Sequence, residues 1–156
     1  MPIHRPETVL SDASDGKGNP CGPYSTLLFS KAGGLTQFGA FVETLPPGSR
    51  SSIKHWHAEE DEMVYMLAGE LLLHEGDTIT PLRPGEAATF RAGEPQGHCL
   101  ENASEEDASY LVIGTRSSGD RVTYPDHDRV LTFTRNPTVH NWTDHAGNPA
   151  SNPYKL

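Results

Sequence analysis

Short apolar runs separated by turn-forming residues dominate this chain, and they constrain its fold more than any other feature. Between residues 24 and 115 almost nothing has the spacing of a long amphipathic helix. The 15 glycines and 13 prolines are spread along the chain, so they mark turns rather than a disordered tract. This pattern is typical of an all-β sandwich or barrel.

The turn signals delimit about eight predicted strands, which are enough for a small barrel. The predicted strands cover residues 24–29, 35–45, 62–67, 70–74, 78–82, 87–90, 98–102 and 109–115. Because the third of these strands ends at Ala68-Gly69 and the fourth follows at once, we expect a tight hairpin at Gly69.

The length of 156 residues suits one domain. We expect an N-terminal arm with an edge strand over residues 1–34 and a barrel core over residues 35–115. The tail, residues 116–156, has one strand-like run at 130–134 among Asn-Pro and glycine turns. We expect this tail to pack on the barrel or on a partner subunit.

The composition makes several classes of partner unexpected. A net charge of −9 argues against binding to nucleic acid or to anionic membranes.

No stretch approaches the roughly 20 apolar residues of a spanning helix, and residues 1–10 lack the apolar run of a signal peptide. Cys21 and Cys99 form no CxxC motif, so we expect reduced thiols in a cytoplasmic protein.

The strongest chemical signal is His55-Trp56-His57, followed by four acidic residues at 59–62. Residues i and i+2 of a strand share a face, so His55 and His57 can present two imidazoles to one point. Two histidines and a carboxylate on one side of a metal leave other positions open for substrate. The alternative interpretation is a solvated polar loop.

Strand alternation selects Glu62 among the acidic residues. Glu62, Val64 and Met66 share one face of the strand over 62–67, and the apolar members predict that this face points into the barrel. A carboxylate buried there is costly unless it is paired or bound to a metal. The acidic residues at 59–61 precede the strand, and we expect them to be solvated.

A second segment brings a histidine from a distant part of the chain. The turn Gly93-Glu94-Pro95 leads to Gln96 and then to His98 at the start of a predicted strand. Taken by itself, this single histidine would be interpreted as a packed residue of the barrel rather than as a ligand.

Together the two segments resemble the two motifs of the cupin superfamily. The first motif is matched by Gly48, His55, His57, Glu62 and Gly69, with one residue more than usual between Gly48 and His55. The second motif is matched by Gly85, Gly93, His98 and Asn102, with Arg91 in place of the usual proline and two additional residues between Gly93 and His98.

These additional residues create an alternative for the fourth ligand. Counting forward from Gly93 places the family's histidine position at Gln96, and counting backward from Asn102 places it at His98. Imidazole is the better ligand for a borderline metal, which favours His98. Gln96 is then a neighbouring group or a substrate contact.

The resemblance implies an all-β, single-domain cupin, a double-stranded β-helix or jelly-roll barrel with extended N- and C-terminal arms. It implies a divalent transition metal, zinc, manganese, iron or nickel, held by a set of four ligands. These ligands are His55, His57, Glu62 and His98. It also implies a homodimer, because barrels of this family commonly dimerise and long terminal arms suit strand exchange.

Two functions are compatible with this resemblance. The first is a metal-dependent enzyme of the isomerase, dioxygenase or decarboxylase type that acts on a small polar molecule. The second is a non-catalytic cupin that binds or senses a small ligand. Arg50 and Gln96 are predicted substrate contacts, and Met66 would restrict substrate size. No general base is identifiable, but a metal can polarise the substrate itself, so we favour the enzyme.

Overall fold

The structure, a computed structural model, describes residues 3–155 and consists mainly of antiparallel strands. The strands are β1 (Ser11–Ser14), β2 (Tyr24–Leu27), β3 (Phe38–Leu45), β4 (Trp56–His57), β5 (Glu62–Ala68), β6 (Leu71–Glu75), β7 (Thr78–Leu82), β8 (Ala87–Phe90), β9 (His98–Glu101), β10 (Ala108–Thr115), β11 (Gly119–Tyr124), β12 (Arg129–Arg135) and β13 (Thr138–Thr143). A short helix, α1 (Phe29–Ala32), and a 3-10 turn, Pro125–His127, accompany them. The all-β class predicted from the sequence is confirmed.

Side chains of two sheets pack together to form the barrel core. One sheet has the order β1-β2-β3-β10-β5-β8, and the other has the order β7-β6-β9. Their shared apolar cluster contains Leu45, Val64, Met66, Leu71, Leu82, Leu100, Ala108, Tyr110 and Val112. Along β5, Val64 and Met66 are buried, whereas Tyr65 and Leu67 are exposed. This alternation is the one predicted for residues 62–67.

The chain changes sheets at Gly69, and the hairpin predicted there is wrong. β5 pairs with β8 and β10, whereas β6 pairs with β7 and β9. Gly69 has φ of +74°, and a Cβ at this position would lie 2.7 Å from the Asp107 carbonyl oxygen. Glycine is therefore required both by the backbone conformation and by the close approach of a neighbouring segment.

Both terminal arms are built onto the barrel. In the N-terminal arm, β1 and β2 extend the larger sheet beyond β3. In the tail, β11, β12 and β13 form an antiparallel meander, where the sequence predicted one strand-like run. β11 also pairs with β4, so that Val122 lies opposite His57. The tail therefore forms the wall beside the histidine pair.

Among residues 3–155, no helix has the length and apolar character needed to cross a membrane.

Candidate metal centre

Three separate segments bring His55, Glu62 and His98 together. Each offers one ligand atom, and these atoms lie within 4.8 Å of one another. Glu62 begins β5 and His98 begins β9. The backbones of His55 and His98 exchange two hydrogen bonds, of 3.1 and 2.9 Å, which hold the two segments side by side. Non-local strand pairing therefore places these side chains at one point.

His57 lies beside this group and can complete a set of four ligands. Its Nε2 is 3.8 Å from the Oε2 of Glu62, and its ring centroid is 5.0 Å from that of His55. Its Nδ1 is 2.6 Å from the Oδ2 of Asp120. Since Asp120 occupies Nδ1, the Nε2 atom faces Glu62.

The ring nitrogens of His55 and His98 that make no hydrogen bond are available to bind a metal. The Nδ1 of His55 lies 2.9 Å from the Ile53 carbonyl oxygen, which leaves Nε2 for the cluster. His98 is buried, and neither of its ring nitrogens has a hydrogen-bond partner within residues 3–155. Phe90 stacks on the His98 ring at 3.6 Å between centroids. A buried polar atom without a partner is costly, and a divalent transition metal would satisfy it.

The charges in the cluster also suit a cation. Burial lowers the pKa of His55 to about 4, so its imidazole is neutral at neutral pH. Burial opposes ionisation of Glu62, but the imidazole of His98, whose Nε2 lies 3.5 Å from the Oε2 of Glu62, has the strongest opposing effect, and the pKa of Glu62 is lowered. Neutral imidazoles and an ionised carboxylate are the forms that bind metals.

Asp120 was not among the residues predicted from the sequence, and it belongs to a second group with His57 and Glu60. Its Oδ1 accepts hydrogen bonds from the backbone N–H groups of Glu59 and Arg121, and its Oδ2 pairs with His57. These donors already satisfy the carboxylate, so it supports His57 rather than forming a separate metal site.

A signal for Asp120 exists in the alternation of β11. Asp120, Val122 and Tyr124 share one face of this strand and are all buried. A carboxylate on an otherwise apolar face indicates a buried partner. The same logic selected Glu62.

The expectation that Glu60 is solvated is wrong. Glu60 was predicted to be solvated with its neighbours at 59 and 61, but it is 8% exposed, whereas Glu59 and Asp61 are exposed. The reason is Arg135 of β12, whose Nη2 lies 2.6 and 2.9 Å from the two Glu60 oxygens. The hydroxyl and N–H groups of Ser117 also donate to Glu60. The tail thus neutralises a carboxylate whose partner lies far away in the sequence.

Two cavities meet at the ligand cluster. The outer one, the mouth, has a volume of about 300 Å³ and is lined in part by Arg116 and Arg135. The inner cavity has a volume of about 120 Å³ and is lined in part by Glu43 and Tyr110. His55 and Glu62 line both cavities, as do Phe41 and Val112. A small molecule can therefore reach the cluster.

Glu43 is an ionisable group in the inner cavity that was not predicted from the sequence. The Tyr110 hydroxyl donates a hydrogen bond to the Oε1 of Glu43. Burial, together with the charge of Glu62, raises the pKa of Glu43 to about 7 despite this hydrogen bond. The cavity thus holds a carboxyl group that is not a member of the ligand cluster.

The predicted substrate contacts occupy different places. Gln96 lines a small cavity of about 60 Å³ together with His57 and His98. Arg50 is exposed and pairs with Glu101 at 3.1 Å. Met66 is buried in the apolar cluster of the barrel core. The structure therefore brings Gln96 close to the ligand cluster and places Arg50 and Met66 away from it.

Comparison with known proteins agrees with this fold. Residues 41–114 match the Cupin domain family. The structure also superposes on a sugar phosphate isomerase of the cupin superfamily from Silicibacter pomeroyi, with a TM-score of 0.83 and 30% identity over 96% of this chain and 97% of that one. The chain belongs to the cupin superfamily. The predicted family and the single-domain cupin fold are therefore confirmed.

Two further relatives of this cupin are informative. A candidate sugar phosphate isomerase from Acidithiobacillus ferrooxidans superposes with a TM-score of 0.81 and 26% identity, covering 94% of this chain and 92% of that one. An oxalate-binding protein from Thermotoga maritima is 33% identical over 69 residues, which cover 44% of this chain. The match spans 54% of that protein, or about half of its length.

Proposed function

We propose that this cupin is a metal-dependent enzyme of the isomerase type that acts on a small sugar phosphate. The observation that carries the proposal is that His55 and Glu62 line both the mouth and the inner cavity. A small molecule entering the barrel would therefore contact the ligand cluster. The similarity to the Silicibacter pomeroyi isomerase, which extends over 97% of that chain, supports the reaction class.

The metal would be held by a set of three imidazoles and one carboxylate. We propose His55, His57, Glu62 and His98 as the ligands, and zinc, manganese, iron or nickel as the metal. When bound, such a metal supplies a Lewis acid that polarises a substrate oxygen. The neutral state of His55 and the ionised state of Glu62 support this ligand set.

The mouth supplies groups for an anionic end of the substrate. Guanidinium groups bind phosphate oxygens in bidentate geometry. Arg116 is exposed at the mouth, and Arg135 lies beside it with one edge paired to Glu60. Phe41 and Val112 line the path inward and would help to exclude water from the bound sugar.

Elemental analysis of purified protein tests the ligand set. We expect His57→Ala and His98→Ala to lose metal, whereas Gln96→Ala retains it. Equal metal content in wild type and His57→Ala would contradict the site. Loss of metal in Gln96→Ala with retention in His98→Ala would assign the fourth position to Gln96.

Incubation of the metal-loaded protein with aldose phosphates in D₂O tests the reaction. The probes are ribose 5-phosphate, glucose 6-phosphate and mannose 6-phosphate, followed by NMR. We expect one of them to form its ketose, and we expect chelation of the metal to stop the conversion. Absence of conversion for the whole panel would contradict the proposed isomerase.

The second candidate function is binding of a small ligand without turnover. The similarity to the oxalate-binding protein from Thermotoga maritima favours this alternative. Calorimetry with oxalate distinguishes the two functions, because saturable oxalate binding without conversion of any sugar phosphate would favour the binding protein.

We also propose that the chain forms a homodimer, as its resemblance to the family implies. The exposed Tyr65 and Leu67 on the outward face of β5 support this proposal, since they leave apolar surface uncovered in the single chain. A monomeric mass in light scattering would contradict it.

A further inference from the structure

Glu43 shares the inner cavity with three members of the ligand cluster. It lies on β3 and lines the same cavity as His55, Glu62 and His98. It belongs to neither group of ligating side chains found within residues 3–155. An acidic group that lies beside the candidate metal ligands, but is not one of them, is free to exchange protons with a molecule bound in the cavity.

Tyr110 holds this carboxyl group in place. Tyr110 lies on β10 directly opposite Glu43 in the antiparallel register, and it is 1% exposed. Its hydroxyl donates to the Oε1 of Glu43, while the other carboxyl oxygen accepts no hydrogen bond from residues 3–155. One oxygen is therefore fixed, and the other can accept a proton from a molecule in the cavity.

The surroundings of Glu43 contain several other ionisable groups. Glu62 on β5 and Tyr110 on β10 affect its pKa, and Tyr24 and Cys21 lie close enough to interact with it. The imidazoles of His55 and His98 and the Cys99 thiol line the same cavity. Burial has the largest effect and raises the pKa of Glu43 to about 7. A general base is most effective when its pKa lies near the working pH.

We propose that Glu43 is the catalytic residue that takes up and returns the substrate proton, and that Tyr110 is its positioning residue. This inference rests on the isomerase function proposed above. In an aldose, the Glu43 carboxylate would accept the proton on C2. The C2–H electron pair then forms the C1=C2 bond, and the carbonyl pair moves to O1. Glu43 returns its proton to C1 as the proton of the C2 hydroxyl passes to O1, so the ketose forms with no net gain or loss of atoms.

The activity of metal-loaded Glu43→Gln tests the catalytic role. Loss of a general base should lower kcat by about 100-fold or more, with unchanged metal content. Glu105→Gln, which removes an exposed carboxyl group, is the matched control and should retain activity. Full activity of Glu43→Gln would overturn the inference and leave the proposed isomerase intact.

The pH profile of Tyr110→Phe tests the positioning role. The hydrogen bond from Tyr110 lowers the pKa of Glu43, so its loss should move the acidic limb of kcat/KM to higher pH. Tyr65→Phe, at an exposed position, is the control and should not move this limb. A loss of activity without a shift of the limb would show a purely structural Tyr110 and overturn this part of the inference.

Labelling with glycidol phosphate, a small epoxide that carries a phosphate, gives a readout that needs no turnover. A Glu43 oxygen forms a bond to an epoxide carbon, the ring C–O bond breaks, and the ring oxygen takes a proton from water. Peptide mass spectrometry should find the ester at Glu43 in wild type and Glu105→Gln. Absence of an ester at Glu43 would overturn the inference. An ester at Glu43 in a protein that converts no sugar phosphate would support the reactive carboxylate and contradict the isomerase.

Discussion

Asp120 in the tail accepts a hydrogen bond from His57 over a distance of 2.6 Å between Oδ2 and Nδ1. Two backbone N–H groups bind the other oxygen of this buried carboxylate, so its position is fixed. A carboxylate on one ring nitrogen sets the tautomer and strengthens the other nitrogen as a metal ligand. The tail therefore completes the candidate metal centre from outside the predicted barrel core.

Asp120→Asn should weaken metal binding by about 10- to 100-fold, because the amide has no charge with which to polarise His57. Competition with a chelating dye measures the affinity. Asp15→Asn, which removes an exposed ion pair with Lys17, is the control and should bind metal as wild type does. An unchanged affinity in Asp120→Asn would show that the hydrogen bond does not affect the metal.

The predictability of the site from sequence depends on how local its signals are. His55, His57 and Glu62 lie within eight residues, and alternation along a strand relates His55 to His57 and shows which face Glu62 shares. Asp120 has an equally clear alternation on β11, whereas Glu43 lies on β3, where both faces carry apolar residues and burial does not alternate. Their relation to the site depends on which strands pair, and strand pairing over long separations leaves no local pattern.

Gly69 shows the same limit for the fold. A hairpin and a crossing between sheets both require a residue that tolerates positive φ, so the local sequence cannot separate them. The choice is made by β8 and β10, which pair with β5, and by β7 and β9, which pair with β6. Most strand positions between residues 24 and 115 were therefore predicted well, whereas two of the three tail strands and the strand partners were not.

Gly69→Ala should destabilise the protein by about 3 kcal/mol, since the added methyl group adds overpacking to backbone strain. The new Cβ would lie 2.7 Å from the Asp107 carbonyl oxygen and 2.9 Å from the Ala108 Cα. Gly34→Ala is the matched control, with φ of +67° and no atom within 4 Å of its Cβ. It should cost about 1 kcal/mol from strain alone. Urea unfolding measures both, and equal losses would contradict a role for the close contact.

Arg135→Met should destabilise the protein by about 2 kcal/mol, because it leaves the buried Glu60 carboxylate without its cation. Methionine keeps an apolar stem beside Phe133, over which the guanidinium now lies at 5.0 Å. Arg91→Met breaks an exposed pair with Glu94 and should cost about 0.5 kcal/mol or less. Equal free energies of unfolding for the two variants would contradict the stabilising role of the Glu60–Arg135 pair.

Glu43→Gln should change the pH dependence of stability, since the pKa of Glu43 is raised from 4.5 to about 7 in the folded protein. The folded protein then binds this proton more tightly than the unfolded chain does, so wild-type stability falls as pH rises through this interval. The difference between the two pKa values corresponds to about 3 kcal/mol of unfolding free energy. Wild type loses this stability as pH rises, whereas the variant keeps it because glutamine has no proton to release.

Urea unfolding of wild type and Glu43→Gln at about pH 5 and about pH 8 measures this effect. Both proteins are kept free of metal with a chelator, so that metal binding does not add its own pH dependence. The other ionisable groups are the same in both proteins, so their contribution cancels in the difference between the two. We expect the variant to gain stability relative to wild type at the higher pH. A difference that stays constant with pH would show that Glu43 ionises as easily in the cavity as it does in water.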